Sequence, residues 1–165
     1  MTAPDLVLYE EEFQKIKEAL NRLRMDANSN VVFLVDKNGQ QIAAVGDLAA
    51  LDTTSLASLT AGNVAATDGL ARLIGEKEFS ILFHEGEKDN IHISIVAQRV
   101  ILVVIFDERS SLGLVRLRVR RATGELEKIF EEIAEKVVRD KESLVDVESP
   151  FAEITDEDID RLFSE

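Results

Sequence analysis

Two histidines, His84 and His92, are the residues of this 165-residue chain whose type and spacing come nearest to chemistry. Each stands four positions from Lys88, so a simple hairpin centred there sets the imidazoles opposite each other. Imidazoles hold transition metals. Here no cysteine is available and no carboxylate has a fixed place beside them, so the expectation is a cross-strand polar pair with no metal. A phosphate cradle is missing too. Gly39, Gly46 and Gly62 lie far apart and no Gly-Lys-Ser or Gly-Lys-Thr occurs, so the chain does not read as a nucleotide-binding protein. Asp and Glu number 32, but abundance is not pairing, and most such groups are solvated faces. No nucleophilic or acid–base constellation emerges. The chain reads as no enzyme and calls for no cofactor.

Arg116, Arg118, Arg120 and Arg121 stand out in a chain of net charge −13. They fall in the first half of a helical pattern, where the helix dipole disfavours cations, and their alternation also permits a strand. Arg120 and Arg121 should face away from Val119 and Ala122. Two readings stay open: a flank offset by Glu125 and Glu127, or a patch that receives an acidic partner or the chain's own tail. Residues 139–165 hold ten acidic side chains against three basic ones. Such a surplus argues against nucleic acid, which needs a concentrated basic footprint, and against anionic membrane surfaces. The start, Met-Thr-Ala-Pro-Asp, lacks the regions of a signal peptide, and the longest apolar run, Val100 to Phe106, is too short to span a bilayer. A reducing cytoplasm is the expected compartment.

Periodicity supplies the elements that position these residues. Tyr9, Phe13, Ile16, Leu20 and Leu23 predict an amphipathic helix from residue 6 to about 27, stopped by Asn28-Ser29-Asn30. Val31 to Asp36 is an apolar strand. The Asn38-Gly39 pair suits a two-residue hairpin with a mirror-image turn, and Gln41 to Val45 returns beside it. Phe79, Ile81 and Phe83 alternate, Gly86 to Asn90 turns the chain, and Ile91, Ile93 and Ile95 alternate again. Arg99 to Asp107 is apolar on both faces, as a central strand is. Leu112, Val115, Val119, Ala122, Leu126, Ile129, Ile133 and Val137 then keep helical spacing. The order is helix, two strands, helix, three strands, helix: an α+β fold with a five-stranded antiparallel sheet. The domain boundaries are 1–138 for the globular part and 139–165 for an acidic extension, with Lys141 to Pro150 as polar linker.

The second helix, from Ser55 to a terminating Gly75 and capped by Asp52, Thr53 or Thr54, has two distinct sides. Leu56, Leu59, Asn63, Ala66, Leu70 and Leu73 are expected to sit on the core. Ala57, Ala61, Ala65 and Gly69 make an opposite ridge almost bare of side chains. Gly62 and Gly69 each cost ~1 kcal/mol relative to Ala, a cost that goes with close approach of another backbone. That backbone belongs either to the chain's own sheet or to a second protein, identical or different. In the acidic extension, Thr155 with Asp158 forms a capping-box pattern and Ile159, Leu162 and Phe163 share one face of a two-turn helix. Such a helix hardly forms alone but folds in a partner's groove.

Several segments carry a family resemblance: Val31-Val-Phe-Leu-Val-Asp-Lys-Asn-Gly39, Asp52-Thr-Thr-Ser-Leu-Ala-Ser-Leu-Thr-Ala-Gly-Asn-Val-Ala-Ala66, Phe83-His-Glu-Gly86, Ser111-Leu-Gly-Leu-Val-Arg-Leu-Arg118 and Ser149-Pro-Phe-Ala-Glu-Ile154. With the element order, they resemble the Roadblock/dynein light-chain family, in particular its bacterial cell-polarity branch. The resemblance implies a homodimer whose second helices pair across a twofold axis and whose neighbouring strands join into one sheet. It also implies stimulation of GTP hydrolysis by a Ras-like GTPase of the MglA type, in bacteria that move on surfaces, with concentration at a cell pole. By the same match Ala57, Thr60, Ala61, Ala65, Asp68, Gly69 and Arg72 fall at the dimer or GTPase interface, with Arg121 beside them and Ile159, Leu162 and Phe163 as a second contact. Arg72 is the one arginine of the second helix and Arg109 the one on an obvious loop. The activator is therefore expected to order the GTPase's own residues. An alternative from another class is a scaffold or adaptor that binds a GTPase or motor without changing turnover.

Overall fold

Seven consecutive apolar residues, Val100–Phe106, form the middle strand of the sheet. The computed structural model describes residues 9–146 together with Glu157 and Arg161. Its elements are α1 (Glu10–Asp26), β1 (Val31–Asp36), β2 (Gln41–Gly46), α2 (Thr53–Leu73), β3 (Ile81–Glu85), β4 (Asn90–Val96), β5 (Val100–Phe106) and α3 (Leu112–Asp146). The strands lie in the order β2-β1-β5-β4-β3, and all neighbours are antiparallel. This is the α+β order that the sequence predicts.

Alternation along β1 and β5 divides the core in two. Val32, Leu34, Val100, Leu102, Val104 and Phe106 point to one side, where α1 and α3 cover them with Ile16, Leu20, Val115, Leu126 and Ile133. Val31, Phe33, Val35, Ile101 and Val103 point to the other, where α2 lies alone. Because β5 is covered on both faces, it reads as a continuous apolar run rather than an alternating one.

On α2 the two sides depart in part from the sequence expectation: Leu56 packs on the core and Ala65 and Gly69 are exposed, as expected, but other positions exchange sides. Ala57 and Ala61 are buried against the sheet with Thr60 and Val64. Leu59, Leu70 and Leu73, expected in the core, are exposed, as is Ala66; Leu56 and Asn63 are half-buried. The cause is space. The strands below already present Phe33, Val31, Val35, Ile101 and Val103, so the helix comes close only through its small residues. The β1–β2 turn also rises against α2. A Cβ on Gly39 would stand 3.3 Å from the Ser58 Cα and 3.7 Å from the Ala61 Cβ.

That turn differs from the expected mirror-image form. Asn38 keeps an ordinary φ and only Gly39 is left-handed, at 90°. The Asp36 carboxylate accepts the backbone N–H groups of Asn38 and Gln40, both at 2.9 Å. The Gly39 N–H donates to the Asp36 carbonyl. Asp36 thus favours an ordinary turn followed by a left-handed glycine, and the pairing shifts register between Leu34 and Val35. The limits of α2 are those expected. Asp52 accepts the Ser55 N–H at 3.1 Å, and Gly75, with φ 82°, closes the helix with Glu76 N–H bonded to the Ala71 carbonyl.

Charged groups rim the α1–α3 contact. Lys15 pairs with Glu132 at 3.0 Å and Arg22 with Glu125 at 2.8 Å, while Lys136 reaches the buried Glu12. The Tyr9 hydroxyl donates to Asp140. Helix α3 continues to Asp146, through positions expected to begin a polar linker at Lys141. The expected tail helix with Ile159, Leu162 and Phe163 lies outside the described residues.

Two outcomes follow for stability. Ala61→Leu should overpack the α2–sheet contact and lower unfolding free energy by about 1–3 kcal/mol in urea melts. Second, the Lys136 hydrogen bond holds the Glu12 carboxyl below the usual carboxylate range, against the opposing effect of burial. A depressed carboxyl stabilises the fold above its unfolded pKa and loses that contribution as pH falls through the folded value. Thermal melts should therefore fall on acidification below about the ordinary carboxylate value of 4.5, and Glu12→Gln should flatten that limb while lowering the neutral-pH melt.

Candidate functional site

Only Asp68 and Arg72 are charged in the 21 residues of α2, so apolar groups occupy both its sides. The inner side is covered by the sheet. The outer side presents Leu59, Leu70 and Leu73, respectively 72%, 60% and 83% exposed, with Ile74 after them at the C-cap. Ala66 lies between, and the set forms one stripe at helical spacing. Isolated exposed leucines are ordinary; a run of them along one helix face marks an interaction surface.

The stripe adjoins an open sheet edge. β3 is an outermost strand, and Ile81 at its start is half exposed. An edge strand leaves a row of backbone groups able to pair with another chain. Between helix and strand, the Asn63 side-chain amide lies 2.8 Å from His84 Nε2. His84 therefore ties the β3 edge to α2.

The expected interface residues separate into groups. Ala65, Gly69 and Arg72 are exposed on α2 and Asp68 is half-buried. A Cβ on Gly69 would meet nothing within 4 Å, so nothing inside the chain requires glycine there. Ala57, Thr60 and Ala61 are 1%, 8% and 8% exposed and lie under the helix against its own sheet. Those three are largely covered by the chain itself. Half of the bare ridge is thus explained by intramolecular packing, and half is free. Arg121 belongs to α3, across the sheet from α2, where it faces Glu125 at 3.9 Å. It is not brought together with the α2 residues. Ile159, Leu162 and Phe163 lie outside the described residues.

The histidine pair does not form. The β3–β4 register sets Phe83 opposite His92 and His84 opposite Ile91, one residue away from the spacing that would pair them. A one-residue difference sends the two side chains to opposite faces. Among the described residues no group of three or more His, Asp or Glu is placed to hold a metal. No helix of the described residues is long and apolar enough to cross a membrane.

The arginine question also has a geometric answer. Arg109 does not project freely. Its guanidinium donates to both Asp107 oxygens at 3.1 Å and to Asn30 Oδ1 at 2.8 Å. Asn28 in turn donates to the Arg109 carbonyl at 2.6 Å. This knot joins the α1–β1 and β5–α3 loops, and it holds the Asp107 carboxyl far below the usual carboxylate range, chiefly through the Arg109 side chain. Arg72 is the one cation on the outer side of α2.

Sequence reasoning missed the outward orientation of Leu59, Leu70 and Leu73 and the exposure of Ile74. The signal was present in the near absence of charge on α2, since a helix apolar on all sides is covered on all sides.

Comparison with known proteins agrees with this geometry. Residues 15–106 match the Roadblock/LC7 domain. MglB of Myxococcus xanthus is similar at 64% identity, covering 78% of this chain and 96% of that one, with a TM-score of 0.74. The gliding protein MglB of Thermus thermophilus is 34% identical over 79% of this chain and 99% of that one, with a TM-score of 0.73. An MglB solved in a tetrameric arrangement is 33% identical over 80% and 99%, with a TM-score of 0.74. No curated protein sequence matches the chain.

Proposed function

Because this chain belongs to the Roadblock/LC7 family, we propose that it is a homodimeric activator of GTP hydrolysis by a bacterial Ras-like GTPase of the MglA type. The observation that carries this reading is the solvent-exposed leucine stripe on α2. Two copies related by a twofold axis cover each other's Leu59, Leu70 and Leu73, and their β3 edges continue one sheet into the next. Ala65 and Gly69 then leave a shoulder of low relief between protomers. A GTPase's switch segments can lie flat on it, with Asp68 and Arg72 as polar rim.

Phosphoryl transfer depends on positioning and on stabilising charge at the transferred group. An activator contributes either an arginine or a template. Arg109 is committed to Asp107 and Asn30, so the template is the better supported route: the dimer holds the GTPase's own catalytic residues in place. In the acidic extension, Ile159, Leu162 and Phe163 supply a second contact on the GTPase. Similarity to MglB, one relative being called a gliding protein, supports a role in surface motility and cell polarity, in the cytoplasm and concentrated at a pole.

The test is GTP turnover by the partner GTPase across several ratios of this protein. The wild type should accelerate hydrolysis. Ala65→Arg and Gly69→Arg should abolish both binding and acceleration. Since an arginine finger is worth ~10³–10⁵ in rate, Arg72→Ala and Arg109→Ala should stay within about tenfold of wild type. An Arg109→Ala protein that binds but no longer stimulates would refute the template mechanism. Wild type that binds without changing turnover would identify a scaffold instead. Removing residues 149–165 should weaken binding or alter nucleotide exchange; unchanged values would remove the tail contact.

A further inference from the structure

Across the sheet from α2, a cavity of about 390 Å³ opens between α3 and the strands β3 and β4. His92 and Ser94 form its floor. They sit opposite Val104 and Leu102 of β5 and share their side of the sheet. His92 is 1% exposed and Ser94 5%, yet neither imidazole nitrogen nor the hydroxyl has a hydrogen-bond partner among the described residues. Buried polar groups are almost always satisfied, and each exception asks for a cause. Apolar side chains would fill the same space without that penalty.

The wall above this floor is cationic. Arg116 and Arg120 line the cavity from successive turns of α3, and no carboxylate lines it. Neither arginine takes part in an ion pair among the described residues. Burial, and after it the charge of Arg116, lowers the His92 pKa, which favours the neutral imidazole with one donor and one acceptor. Ile81 and Val119 add apolar surface to the lining, and Ser80 and Thr123 border it as well. Two arginines and unsatisfied His and Ser groups therefore border one space with Ile81 and Val119 beside them, in a chain whose net charge is −13.

We propose that this cavity binds a small organic anion, a carboxylate or phosphate head on an apolar body of a few carbons. The planar guanidinium forks of Arg116 and Arg120 match a two-oxygen head. The Ser94 O–H and a His92 ring N–H donate the remaining bonds, and Ile81 and Val119 flank the body. The site shares no residue with α2, although its Ile81 lies on the β3 edge that the proposed dimer pairs; titration with anions reads their binding without the GTPase.

The experiment needs no GTPase. The full chain is titrated with hexanoate, hexyl phosphate and inorganic phosphate at fixed pH and ionic strength while the His92 side-chain resonances are followed by NMR. The expected result is a saturable shift with one or both organic anions, at lower concentration than with inorganic phosphate. Saturation by hexanoate alone identifies a carboxylate site, and by hexyl phosphate alone a phosphate site. In the Arg116→Ala/Arg120→Ala variant, binding should weaken by about tenfold or more, the scale of a lost charge-assisted pair. Arg121→Ala should leave it unchanged. Both altered arginines are exposed, and circular dichroism checks that the variant is folded; Arg120→Gln alone replaces it if it is not. Failure of all three anions to saturate the His92 shift overturns the proposal. So does equal binding by the arginine variant, and equal affinity for inorganic and hexyl phosphate removes the apolar body from it.

Discussion

A helix lies close on a sheet only where one of the two surfaces is small, and in this chain α2 supplies the small surface. The strands beneath it carry Phe33 and a set of valines and isoleucines, and Ala57, Ala61 and Thr60 meet them. With 3.6 residues per turn, committing those positions inward turns Leu59, Leu70 and Leu73 outward. The two facts are one constraint. Apolar surface left in water favours association at ~25 cal/mol per Å² covered, so the packing that seats α2 also creates its outward-facing site.

The two faces of the sheet hold their helices by different means. Toward α1 and α3, a large apolar core is rimmed by charged pairs, among them Lys15 with Glu132 and Arg22 with Glu125. Exposed pairs of this kind add little stability, but they keep that outer surface polar. Toward α2, charge is nearly absent. A single-layer helix without a polar outer side is an unfinished layer, and a second copy completes it in the proposed dimer. Arg109 belongs to neither face. Its hydrogen bonds to Asp107 and Asn30 join two loops at one end of the sheet, which is the basis for choosing positioning over a donated arginine in the proposed function.

Much of this architecture was legible in the residues. The apolar run of β5 announced a central strand, Asp52 and Gly75 marked the ends of α2, and the element order with the quoted segments pointed to the family. Legibility failed where two periodicities coexist. Leucines and alanines both repeat along α2, and spacing alone does not say which set faces the strands; the bulk of Phe33 and its neighbours decides that. It failed again at the histidines, because the register of β3 on β4 is set by the number of residues in the connecting turn. The β1–β2 turn was misread because the Asp36 side chain, rather than the Asn38-Gly39 pair, selects its form. Of the expected interface, Ala65, Gly69 and Arg72 are exposed, while Ala57, Thr60 and Ala61 are buried on the sheet side of the helix.

The outward leucines of α2 are the proposed seat of a second copy, and sedimentation velocity of wild type beside a Leu59→Asp/Leu70→Asp variant tests that most directly. Wild type should sediment as a dimer, and the variant as a monomer with unchanged helical content. A wild type that stays monomeric at every concentration, or a variant that dimerises as tightly as wild type, would contradict it.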